Sequence, residues 1–311
     1  MSGYGGEPEV DTSKLPDKWF RLSNGQIYPL VGLGGGGSGC NKDNVDHGVK
    51  VGYRLFDTAA ARRWGYREED VGEIMKQNEL IADGSWPPYW VQSKVDAYEL
   101  GYDPTIKAFN ESLKKLHRID SYLIHKPFNS FGEQQKERVC PEKDRWPTGT
   151  WQESWKALEF VYKRKSVKCI GMCDVTAGLF DEFVSGAEIG PHIVQNRFDP
   201  FTQQKDVREL CKRHGILFQG YSTLGQQFTW REGVNKVMRD KTLKTLADKY
   251  ETNIPAVILS WASKLGVGVV PQSSNNAHIK SNFDVYMNPL PLTDGEMETI
   301  NALDGTDPIC D

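Results

Sequence analysis

The sequence has no apolar run of the roughly 18–20 residues that a bilayer-spanning helix needs, so no transmembrane segment is read from it. Nor does it carry an excess of one charge: 38 basic and 42 acidic residues leave a formal net charge of −4. No chain-wide electrostatic grip on nucleic acid or on an anionic membrane is therefore expected. Cysteine is sparse. The six are Cys40, Cys140, Cys169, Cys173, Cys211 and Cys310, and no two form a C-x-x-C pair. That spacing offers neither a zinc site nor a disulfide framework; reduced thiols, no metal and a cytoplasmic location are the expectation. There is no repeat of fixed period and no domain linker. Met1–Asp17 is polar and rich in Gly, Pro and acid, with neither an apolar secretory core nor Arg-rich transit character. Residues 1–17 are expected to be a flexible arm, and 1–311 a single domain.

What is present is an ordinary globular mixture. Over 311 residues, 38% are hydrophobic and 26% charged, enough to bury a large core. An opening hairpin is expected at Trp19–Leu22 and Gln26–Leu30, joined by the tight-turn pair Asn24-Gly25. Eight short apolar runs follow: Val31–Gly34, Arg54–Thr58, Trp90–Val95, Ser121–His125, Lys168–Met172, Ile193–Gln195, Leu217–Tyr221 and Val267–Val270. Near-continuous apolar runs suit parallel strands covered on both faces. Between them the spacing turns helical, as in Glu68–Gln77, Thr105–Leu116, Trp151–Lys163, Leu179–Phe183, Val207–Arg213, Leu243–Tyr250 and Ala256–Lys264. Eight strands alternating with helices make an α/β fold, a (β/α)8 TIM barrel with an N-terminal β-hairpin; a doubly wound sheet is the structural rival. Two irregular stretches, Pro127–Gly149 and Gly225–Lys236, each follow a strand and would overhang the C-terminal face of a barrel.

Barrels place their chemistry at that face. Asp57, Lys94 and His125 end three successive strands, and Tyr66 lies in the loop after Asp57. Alone, each has an ordinary reading: a turn or cap, a lysine reaching solvent, a hydrogen-bonded structural histidine, a packed ring. Together they set an acid, an ammonium, an imidazole and a phenol on adjoining strand ends.

From about Phe20 to Leu303 the chain resembles the aldo-keto reductase superfamily. The matching segments are Leu22-Ser23-Asn24-Gly25, Val31-Gly32-Leu33-Gly34, Gly52-Tyr53-Arg54-Leu55-Phe56-Asp57-Thr58-Ala59, Ser93-Lys94, Ser121-Tyr122-Leu123-Ile124-His125-Lys126-Pro127, Ile170-Gly171-Met172, Val194-Gln195, Tyr221-Ser222-Thr223-Leu224-Gly225 and Val270-Pro271-Gln272-Ser273, then Asn282. The resemblance implies reduction of an aldehyde or ketone by a nicotinamide cofactor, NADP(H) by family preference with NAD as the alternative. It implies a tetrad of Asp57, Tyr66, Lys94 and His125. A phenol with a pKa near 10 gives up its proton reluctantly. A buried ammonium beside it favours the phenolate, and the acid keeps that ammonium charged. The imidazole can donate to the carbonyl oxygen.

For the cofactor the resemblance implies Gly34 and Gly35 at the first strand's exit, Cys173 and Asp174, Gln195 on the carboxamide, Tyr221 stacked on the nicotinamide, and Ser222, Leu224 and Gly225 along the pyrophosphate. Gln272, Ser273, His278 and Asn282 fall at the adenosine end. Trp86, Trp146 and Trp230 are candidates for an aromatic substrate wall, whereas Trp90, inside a strand, is as readily core. Several positions depart from the family. The usual tyrosine position, five residues after the Asp, is Arg62. The usual Ser-Asn pair is Cys173-Asp174, and an ionised Asp cannot donate. A Lys and an Arg that face the 2′-phosphate are Gln272 and His278. These departures motivate the alternative reading, a catalytically degenerate barrel serving as a cofactor-binding or structural subunit of an assembly.

Overall fold

A computed structural model describes residues 15–38, 41–78, 88–127, 145–147 and 149–308. The hairpin pairs β1 (Trp19–Arg21) with β2 (Ile27–Pro29) in antiparallel register, Phe20 opposite Tyr28. Eight parallel strands follow: β3 (Leu33–Gly34), β4 (Leu55–Asp57), β5 (Trp90–Val95), β6 (Ser121–Ile124), β7 (Cys169–Cys173), β8 (Ile193–Arg197), β9 (Leu217–Tyr221) and β10 (Gly268–Val269). Each pairs with the next in chain order. A parallel bridge from Val31 to Val269 joins the first barrel strand to the last. It is reinforced where Gly32 N donates to Val269 O at 2.9 Å and Val269 N to Leu30 O at 2.7 Å. The sheet therefore closes, and its C-terminal strand ends converge on one mouth.

The strands are buried on both faces because helices cover the outside and side chains fill the inside. Every residue of β5, β6 and β7 is buried. The hairpin plugs the opposite, N-terminal end. Tyr28 is fully buried, its ring 4.7 Å from that of Trp90, the first residue of β5. Trp90 is thus core rather than substrate wall. The helices Glu68–Gln77 and Trp151–Lys163 run as their periodicity predicts, the second begun by a capping box of Thr150 and Glu153.

Three of the described helices fall outside those the sequence pattern predicts: Lys42–Val51, Gln226–Glu232 and Asp294–Asn301. The second corrects the expectation that Gly225–Lys236 is irregular. It lies between Gly225 and Gly233, both left-handed at φ 78° and 75°, so glycines that read as loop instead end a short helix at either side. Met1–Lys14, most of Pro127–Gly149, Trp86, Cys40, Cys140 and Cys310 lie outside the described residues. Cys169, Cys173 and Cys211 are buried free thiols. Among the described residues no helix is long and apolar enough to cross a membrane. Nor, among them, is any group of three His, Cys, Asp or Glu placed to hold a metal ion.

Candidate active site

The mouth is organised around a buried ion pair. Asp57 ends β4 and Lys94 stands one residue from the end of β5, and their side chains are 4% and 0% exposed. Lys94 Nζ donates to Asp57 Oδ1 and, at 3.0 Å, to Thr58 O. The carboxylate is further satisfied by Gln92 Nε2 at 2.6 Å and Gln195 Nε2 at 3.3 Å. Gln92 and Gln195 both donate to Gln219 Oε1, at 2.8 and 2.7 Å, and Tyr28 OH donates to Gln92 Oε1 at 2.6 Å. A column of amides thus runs through the barrel from the hairpin plug to Asp57. Buried charges persist only when paired and hydrogen-bonded, and this column supplies that condition.

His125 directly follows β6 and is 7% exposed. Burial first, then the nearby charges of Lys94, Lys126 and Arg63, hold its pKa well below the usual imidazole value of 6.5. The ring is neutral at neutral pH and carries one N–H to donate. Its Nδ1 has no hydrogen-bond partner.

Tyr66 reaches the same place by an unusual route. The chain leaves Asp57 and makes a short 3-10 turn at Arg62–Trp64. It then passes through left-handed Gly65 (φ 84°), a conformation glycine adopts without strain. Arg63 ties this loop to the segment after β5: both arms of its guanidinium meet Asp96, and it lies 4.3 Å from the Trp64 ring and 4.2 Å from the Tyr98 ring. Tyr66 is thereby set with its ring centroid 5.3 Å from Lys94 Nζ and 5.5 Å from the His125 ring. Trp64 meets His125 edge-on at 4.8 Å. Arg62, at the usual tyrosine position, has its side chain 79% exposed and pairs with Glu69 at 3.1 Å, away from the cluster. Gly36, after β3, lies against the phenol; a Cβ there would stand 3.4 Å from the Tyr66 hydroxyl oxygen. The four sequence candidates therefore converge. Arg63 and Trp64 are the neighbours that spacing alone did not single out.

The other candidates fall around the mouth. Gly34 and Gly35 are buried at the exit of β3, where Gly34 N donates to Pro271 O at 3.0 Å. Cys173 ends β7 beside Gln195, its Sγ 3.6 Å from Gln195 Oε1, and burial raises its thiol pKa well above the ordinary value. Asp174 follows in a left-handed conformation (φ 53°). Its Oδ1 accepts from Tyr221 OH at 2.8 Å and Oδ2 pairs with Lys126. Ser222, also left-handed (φ 54°), and Leu224 are half-buried beyond β9, and Gly225 is buried. Gln272 is half-buried with Nε2 3.5 Å from Gly37 O. Ser273 O accepts from Asn44 Nδ2 at 3.4 Å, His278 is exposed, and Asn282 is buried in the helix Asn276–Met287. Trp146 is half-buried against the core; the Trp230 side chain and all of Trp86 lie outside the description.

Two buried imidazoles give the fold an acid limit. His192 is held at about 4 by burial, and its Nδ1 accepts the Ile170 backbone N–H at 3.2 Å, a bond that only the neutral ring can make. His125 shifts in the same direction. In the unfolded chain both take a proton near pH 6.5. Their contribution to stability is complete above that value and declines as pH falls toward 4, because the unfolded state then binds more protons. The urea midpoint should fall between pH 7 and pH 4.5. His192→Gln should flatten part of that slope, and an unchanged slope would show that this ring is not held neutral.

The fold and site define a (β/α)8 barrel with an acid–base cluster at its C-terminal mouth. A model of the Aldo/keto reductase family matches residues 41–305, and the chain belongs to that family. It is 30% identical to glyoxal reductase of Bacillus subtilis (strain 168), over 91% of each chain. It is 28% identical to NAD(P)H-dependent D-xylose reductase I,II of Candida tropicalis, over 92% of each. Among solved structures, a point mutant of Gox0644 in complex with NADPH aligns with TM-score 0.74 at 26% identity, covering 93% of this chain and 94% of that one.

Proposed function

We propose that the protein reduces an aldehyde or ketone to an alcohol with NADP(H), Tyr66 giving the proton. The observation that carries this reading is the Asp57–Lys94 ion pair with the Tyr66 and His125 rings set around it. The cofactor, when bound, supplies the hydride to the carbonyl carbon, becoming NADP+. The chain supplies everything at the oxygen. Lys94 lowers the cost of phenolate formation at Tyr66 Oη. Asp57 keeps Lys94 charged inside a dry site. Neutral His125 donates a hydrogen bond to the substrate oxygen and holds it beside the phenol. The proton taken from Tyr66 is restored from solvent, so each turnover consumes one carbonyl, one NADPH and one proton.

The residues around the mouth fit this cofactor. Orphaned His125 Nδ1 and Gln219 Nε2 leave polar capacity at and below the mouth. Tyr221, at the end of β9, offers a ring face, with Gln195 and Cys173 beside it for the carboxamide. Ser222, Leu224 and Gly225 line the pyrophosphate path, and Gln272, Ser273, His278 and Asn282 take the adenosine end. Trp64 and Trp146 give the substrate an apolar wall. Gln272 carries no charge, so the 2′-phosphate is held more weakly here than a lysine would hold it. Gln272→Lys should raise the preference for NADPH over NADH by roughly tenfold. An unmoved ratio would show that Gln272 does not face that phosphate. The activity itself is tested by turnover of small aldehydes with NADPH, with the alcohol identified as product. Tight cofactor binding with no turnover of any carbonyl would favour the non-catalytic barrel instead.

A further inference from the structure

His125-Lys126-Pro127 places an ammonium directly after the imidazole, and beyond its charge near His125 the chemistry above gives it no role. Its partner is Asp174, the acid that stands where the resembled family has a neutral amide. Lys126 Nζ pairs with Asp174 Oδ2, while Tyr221 OH donates to Oδ1 at 2.8 Å. Nζ also lies 3.5 Å from the Tyr221 hydroxyl oxygen and 5.3 Å from its ring centroid. The ends of β6, β7 and β9 are thus bridged by one charged triad. The two charged side chains are only 17% and 19% exposed, so solvent screens them weakly. Burial alone would lower the Lys126 ammonium, but Asp174 outweighs it and raises its pKa. The ammonium therefore persists at neutral pH.

A nicotinamide ring is cationic when oxidised and neutral when reduced. A fixed charge a few ångströms from it must discriminate between the two forms. We propose that Lys126 neutralises Asp174 beside the nicotinamide site, and that this pair sets the relative affinity for oxidised and reduced cofactor. The inference rests on the preceding reading, in which the ring lies against Tyr221. Asp174 alone would favour the cationic NADP+ and hold back its release after reduction. Lys126 cancels that bias while Asp174 anchors the Tyr221 hydroxyl. Both act as positioning residues rather than as catalysts.

The test measures dissociation constants for NADP+ and NADPH by calorimetry on the full chain. Lys126→Met should tighten NADP+ relative to NADPH by roughly ten- to fiftyfold, from one uncompensated charge at about 7 Å and an effective dielectric of about 20. Asp174→Asn should move the ratio the opposite way. The double variant, with no net charge, should return to within about threefold of wild type, and so should Lys126→Arg. Ratios within threefold of wild type in both single variants that still bind would overturn the proposal. So would a Lys126→Arg shift as large as that of Lys126→Met, because packing rather than charge would then be responsible. Should the wild-type protein bind neither form, the cofactor reading itself fails, and this inference with it. Wild-type binding and turnover with unmoved ratios defeat this inference alone.

Discussion

Tyr66→Phe should lower the turnover number by about 10²–10⁴-fold, the usual worth of a positioned general acid. Affinity for NADPH should stay within about twofold. The substitution removes one oxygen and keeps the ring, so the contacts that seat the loop survive: Arg63 with Asp96, and Trp64 against His125. The Tyr66 ring would still stand beside Lys94, but with no proton to give. Steady-state kinetics together with cofactor titration separate the outcomes. A variant that keeps wild-type turnover would show that another group protonates the oxygen, His125 being the nearest. A variant that loses both turnover and cofactor affinity would show that the loop had moved.

Lys94→Met should cost the protein both activity and stability. The ammonium and its carboxylate are almost wholly enclosed, at 0% and 4% exposure. Removing one member leaves Asp57 charged and buried, with only neutral amide donors around it. Breaking such a pair costs about 3–5 kcal/mol, far more than a surface ion pair contributes. Urea unfolding should show a loss of that size with the slope unchanged. Adding Asp57→Asn to the same chain should recover part of it, because the stranded charge is gone, while activity stays lost. An unfolding midpoint equal to wild type would contradict the burial of the pair.

Much of this site was legible in the sequence because strand ends are local features. Trp90–Val95 and Leu217–Tyr221 have the bounds their apolar runs predict. Once eight such runs alternate with helices, Asp57, Lys94 and His125 fall side by side. What was not legible depends on contacts between distant residues. Nothing in the spacing pairs Lys126 with Asp174, 48 positions apart, or Arg63 with Asp96, 33 positions apart. The left-handed backbone at Asp174 gave no sign either, since most residues there would avoid it. The helix Asp294–Asn301 could have been found: Thr293 and Glu296 form a capping box with the expected three-residue spacing. Lys42–Val51 is harder, because Gly48 sits mid-helix and packs closely on Leu33 and Phe56 instead of signalling a turn.

The resembled family's usual tyrosine position, five residues after Asp57, is Arg62, and in the structure it is Tyr66 that lies beside Lys94 and His125. Arg62 faces solvent, while the 3-10 turn and left-handed Gly65 carry Tyr66 back over the barrel. The longer route is kept in register by Arg63, whose guanidinium fixes the loop to Asp96, two residues beyond Lys94 on the same strand exit.

The decisive measurement follows the label in a single turnover. The protein would be mixed with NADPH deuterated at the transferable position of the nicotinamide and with a small aldehyde in ordinary water. The alcohol should carry deuterium on its carbinol carbon and protium on its oxygen, with yield abolished in Tyr66→Phe. Cofactor that binds and keeps its deuterium, with no alcohol formed, would contradict the reductase assignment and leave a barrel that only resembles one.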